Sequence, residues 1–202
     1  MVAQQVVAGV QVPGGPGRHV GVIVGSPQSL SEADRRVVAA WAANCAEHVL
    51  PLFLAAAPDD DRPQALIARA RAFARGEADT ATEIRRRFAS GVGATDVTGA
   101  AAAAARAAGQ AAAVCHMGAH ALGAAGYAAR AAGMADPDRT EAAREEIRWQ
   151  LEHMSVQTRT ALRTLPPAGE NRSGPLGPGL LTSGQLGTII RELQARLDLT
   201  KK

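Results

Sequence analysis

The chain has 202 residues, long enough for one domain with a sizeable core, and 47% of them are hydrophobic while only 3% are aromatic. Alanine supplies much of that apolar total, so the expected core is helices packed closely through small side chains. With 22 Lys and Arg against 19 Asp and Glu the net charge is only +3, and the arginines are scattered over mixed-sign segments, which argues against a nucleic-acid binder.

Residues 1–28 differ from everything after them. VVAGVQV and HVGVIVG are short β-like runs around the turn-rich Pro13–Gly17, and they read either as a hairpin or as a disordered leader. GPGRHVG lacks the Gly-Lys-Ser/Thr ending and following helix of a phosphate loop. No signal-peptide charge and cleavage pattern opens the chain, and no uninterrupted apolar run reaches membrane-spanning length, so a cytoplasmic location is expected.

A single helical domain is expected over residues 29–165. Its first helix takes Ser29 or Ser31 as N-cap, with Glu32 and Asp34 in the first turn. Val37, Val38, Trp41, Cys45, Val49 and Leu50 follow at helical spacing, and Pro51 ends or kinks the helix. Pro58–Pro63 is a turn whose aspartates can cap the helix Pro63–Arg75; Leu66, Ile67, Ala70 and Phe73 form that helix's apolar side. A third helix is predicted over about Thr80–Ser90, anchored by Ile84 and Phe88, before the Gly-rich break Gly91–Gly99.

The alanine run Gly99–Ala107 leads into GQAAAVCHMGAHALGAAGYAARAAGM, Gly109–Met134, read as one small-residue helix with a kink at most at Gly109. After the turn at Asp136–Asp138, Arg139–Thr164 reads as one amphipathic helix carrying Ile147, Leu151, Met154 and Leu162. Residues 166–182 are a Pro/Gly-rich linker by composition, and 183–202 form a C-terminal amphipathic helix with the stripe Leu186, Ile189, Ile190, Leu193 and Leu197. That stripe docks either on its own bundle or on a second subunit, as a homodimer. The fold class is all-α, a single antiparallel helical bundle or helical-hairpin stack.

Several of these blocks resemble a known family. Asp34-Arg35-Arg36, Trp41, Cys45-Ala46-Glu47, Leu50-Pro51-Leu52-Phe53, Asp61-Arg62-Pro63 and Ala72–Glu77, then the alanine-rich block 103–132 and Trp149-Gln150, are similar to the small all-helical immunity proteins of bacterial polymorphic toxin systems. The resemblance covers about Leu30–Leu151. It implies a non-enzymatic cytoplasmic protein that binds and neutralises a cognate toxin. Two places depart from the family's pattern: RRRFASGVGATDVTG replaces a His-containing alanine-rich run, and Gln110 stands where related sequences tend to have histidine.

Candidate site residues follow from side-chain chemistry. His116 and His120, four apart in a helix beside Cys115, would share a face and bind one metal ion if a third ligand came from His48, Glu47 or His153. The competing reading is a buried histidine bonded to a neighbouring helix, and no cofactor is expected. Cys115 as nucleophile, with His116, His120 and His48 around it, defines the alternative function: a small enzyme or ligand-binding protein of specialised metabolism. For a protein partner the candidates are Glu47, Arg62, Arg75 and Trp149; Glu47 either bridges to an arginine of the second helix or meets the partner. Trp41 is the expected core hub, and Trp149, on a polar helix, a candidate anchor.

Overall fold

A computed structural model describes residues 26–79 and 97–199. The β-like runs before residue 26 and the predicted third helix with Ile84 and Phe88 lie outside these residues. Within them the protein is all-helical: α1 (Glu32–His48), α2 (Leu50–Leu54), α3 (Arg62–Ala74), α4 (Gly99–Ala113), α5 (His120–Ala135), α6 (Arg139–Glu152), α7 (Val156–Leu162) and, after a short 3-10 turn at Leu180–Thr182, α8 (Gly184–Leu199). No helix among the described residues is long and apolar enough to cross a membrane.

Side-chain caps set three of the helix starts. Ser31 caps α1, its Oγ accepting from Asp34 N at 3.1 Å and donating to the Asp34 carboxylate at 2.7 Å. Asp138 caps α6 through Glu141 N, and Ser155 caps α7 through Thr158 N. The Ser155 cap also corrects the expected single helix Arg139–Thr164, which breaks after Glu152.

The small-residue helix is corrected too. Gly109–Met134 is two antiparallel helices, with a reversal at residues 114–119. Alanine propensity favours continuation, but tertiary partners win: Gly118 N and Ala119 N donate to the carbonyls of Ser29 and Gln28, each at 3.0 Å. Gly118 is needed there, because a Cβ would lie 2.4 Å from Leu30 Cδ1.

Helix α5 is the centre, packing against α1, α4, α6 and α8. Its glycines explain how so many backbones approach it. A Cβ at Gly123 would strike Gln110 of α4, one at Gly126 would strike Ile190 of α8, and one at Gly133 would strike the Arg139 carbonyl of α6. Trp41 is the expected hub: it is 2% exposed, and its indole N–H donates to Gln150 O of α6 at 2.9 Å.

The segment read as a linker is fastened to the body. Buried Gln28 donates to Ser173 O at 2.6 Å and accepts from Leu176 N at 2.8 Å, while Gln194 of α8 brackets Pro166 O and Ala168 N. The stripe Leu186, Ile189, Ile190, Leu193 and Leu197 is buried within the chain, so a homodimer through it would require α8 to leave α5.

Candidate partner-binding face

The most elaborate cluster of polar and aromatic side chains joins the C-terminal end of α1 to α6. His48 stacks on Trp149 with ring centroids 3.6 Å apart and planes 3° from parallel, and His153 stacks at 4.3 Å from the same indole. His48 and His153 are exposed and Trp149 is half-buried, so the three rings reach the surface. His153 Nδ1 donates to Trp149 O at 2.8 Å, fixing its ring against the indole.

Beneath the rings lies a buried polar chain. His48 Nδ1 donates to Glu146 Oε2 at 2.6 Å, and the Glu146 side chain is only 4% exposed. Gln150 Nε2 donates both to Glu146 Oε1 at 2.8 Å and to Ala125 O of α5 at 3.1 Å. Burial pushes the Cys45 thiol well above its ordinary range, and the nearby Glu146 charge pushes it further. Cys45 is therefore a neutral core thiol, poorly suited to nucleophilic chemistry.

Glu146 was not singled out from the sequence, and Gln150 only as the neighbour of Trp149 in the family resemblance. Their signal was there, because Ala143, Glu146, Ile147 and Gln150 occupy one helical stripe and all are buried. Two polar residues in an apolar phase mark a buried network more often than a solvated face.

The histidine constellation does not assemble as expected. His116 falls in the reversal between α4 and α5, and His120 opens α5; their rings are 6.4 Å apart and tilted by 37°. His120 Nδ1 donates to Gln110 Oε1 at 2.8 Å, an inter-helix bond of the kind weighed against a metal site. Cys115 is buried, its thiol directed to Ala112 O at 3.2 Å. His48 is elsewhere altogether. The reversal sits against Gln28–Leu30 before α1, whereas His48 ends that 17-residue helix, roughly 25 Å away at 1.5 Å per residue. The pocket around His116, His120, Cys115 and His48 is therefore not brought together. Among the described residues, no three of His, Cys, Asp and Glu group as a metal site requires.

The candidate partner residues have neighbours of their own. Glu47 pairs with Arg71 of α3, the bridge to the second helix weighed above; Arg62 pairs with Asp60 at 2.6 Å and Arg75 with Glu77 at 2.7 Å. These pairs lie at or near the surface and are worth little to folding. Trp149 differs from them. Of the Phe, Trp and Tyr side chains among the described residues, Trp41, Phe53, Phe73 and Tyr127 are at most 2% exposed, and Trp149 alone reaches the surface.

A family model described as Imm-5 like putative immunity protein matches residues 28–157, well over half of the chain. The chain belongs to this family. The match runs from Gln28 through α6 and so contains every member of the ring stack, whereas residues 158–199, with α8, lie beyond it. No curated protein and no solved structure matches the chain.

Proposed function

We propose that this immunity-family protein binds a cognate toxin and neutralises it by occlusion, without catalysis, in the cytoplasm of the bacterium that makes the toxin. The observation that carries this reading, beside family membership, is the ring stack His48–Trp149–His153. Tryptophan is among the residues that most often dominate protein interfaces, and here its rotamer is held by two flanking imidazoles before any partner arrives. The neighbouring Glu47–Arg71 pair, with Arg62 and Arg75, supplies charge for orientation and encounter rate. Val156, 78% exposed and three residues after His153, extends the apolar area.

The test is co-expression in a bacterial host with the toxin encoded beside this gene. The wild-type protein should restore growth, and Trp149→Ala should weaken the purified complex on the order of 30-fold or more, as loss of an interface anchor does. Trp149→Phe should retain part of the affinity. A wild-type protein that fails to protect defeats the immunity reading, whereas full affinity in Trp149→Ala defeats only the placement of the anchor.

A further inference from the structure

Arg106 of α4 and Arg130 of α5 face one another across the antiparallel pair and line a cavity of about 230 Å³ together with Val97, Thr98, Ala102 and Met134. Guanidinium groups stay charged at any physiological pH, so two positive charges share one small space. Among the described residues no acidic one lines it, and neither arginine makes a hydrogen bond or ion pair with them. Arg130 Nε is buried with no partner. Elsewhere arginines meet carboxylates: Arg36 with Glu32, Arg71 with Glu47, Arg196 with Glu192.

A like-charged pair without a counter-ion is unfavourable, more so where one member has lost part of its hydration. One further feature adds positive potential. The cavity includes the start of α4, whose N-cap residue Thr98 makes no side-chain cap bond to the first turn. Burial raises the Tyr127 phenol, and the two nearby guanidiniums pull it only partly back down. We propose that this cavity binds a tetrahedral oxyanion of the phosphate class, with Arg106 and Arg130 as its two guanidinium forks. Planar forks match such oxygens in pairs, and a dianion balances the two charges. The cavity is below the range that holds drug-sized ligands, which favours a single small group.

The experiment uses the full-length protein and two probes, inorganic phosphate and O-phosphoserine, against chloride at matched ionic strength. Thermal unfolding should shift with the logarithm of phosphate concentration once this exceeds Kd, by roughly 5–11 °C at about a hundred times Kd. A response to phosphate alone identifies a free ion, and one to both identifies a site open enough for a phosphate ester; either supports the proposal. Arg106→Gln, at an exposed position, and Arg130→Gln should each abolish the shift, and Arg106→Lys should keep part of it. Circular dichroism and the unfolding midpoint in chloride confirm that the variants fold. No extra shift in phosphate over chloride, or an undiminished shift in both Gln variants, overturns the proposal.

Discussion

Alanine at Gly126 and at Ile190, singly and together, tests whether α8 belongs to the same core as the family body. Ile190 is fully buried, and its Cγ1 would stand 2.9 Å from a Cβ at Gly126, with Leu186 Cδ1 at 3.1 Å. Ile190→Ala removes buried aliphatic carbon and should cost about 2–5 kcal/mol. Gly126→Ala gains about 1 kcal/mol of helix propensity. It also forces overpacking of about 1–3 kcal/mol, because Cγ1 of a β-branched residue cannot swing aside as a free side-chain end can.

In the double variant the new methyl grows into space that Ile190 has left. The overpacking vanishes and the propensity gain stays, so the double variant should be about 1 kcal/mol more stable than Ile190→Ala alone. The coupling is then roughly 1–3 kcal/mol, favouring the pair of changes over their sum. Urea unfolding followed by circular dichroism and by the fluorescence of Trp41 and Trp149 measures all four corners of the cycle. Additivity within about 0.5 kcal/mol would mean that the two residues do not touch, and docking of α8 on α5 would be refuted.

Two further outcomes follow from the buried network and the Gln28 fastening. Burial and Glu146 raise the Cys45 thiol, so below about pH 8.5 both folded and unfolded chains hold its proton and stability is unaffected. Above that pH only the unfolded chain releases it, and stability should fall by up to about 1.4 kcal/mol per pH unit until the folded thiol also ionises. Cys45→Ala should lose that component of the slope in urea midpoints taken between about pH 8 and about pH 10, and an unchanged slope would count against a raised thiol. Gln28→Ala removes the bonds to Ser173 and Leu176, costing about 1–3 kcal/mol, and should speed tryptic cleavage after exposed Arg172. Cleavage at the wild-type rate would show that Gln28 does not hold the segment down.

Much of the helical architecture was legible because it rests on local chemistry. The Ser31 cap, the Leu66–Phe73 face, buried Trp41 and the stripe of α8 all follow from spacing and side-chain type. What was not legible depends on distant parts of the chain. The reversal at residues 114–119 interrupts a sequence of good helix formers because carbonyls of Gln28 and Ser29, about ninety residues earlier, take two of its N–H groups. The Pro/Gly-rich segment 166–182 has linker composition, yet one buried glutamine organises it. The site misled for a related reason. Placing His116 and His120 on one helix turn made them look like a pair, whereas His48 lies with Trp149 and Glu146 at the far end of α1.

The small-residue helix that dominates the sequence is thus a poor place for a partner to bind. Its neighbours α1, α4, α6 and α8 surround it, and its glycines already face side chains or backbone of three of them. Helix α8 lies beyond the family match yet fills one of those sides, so the α5 face beneath it is closed to a toxin unless the helix detaches. Recognition then falls to surfaces built from larger side chains, and these are scarce in a chain with 3% aromatics. Trp149 is the described aromatic that is not enclosed, and the buried Glu146–Gln150 chain ties its helix to α1 and α5. Helix α6 therefore carries both the proposed anchor and the polar network that ties its surroundings to α1 and α5. A partner that packs beside Trp149 and its flanking imidazoles would meet a surface whose ordering cost has largely been met in folding.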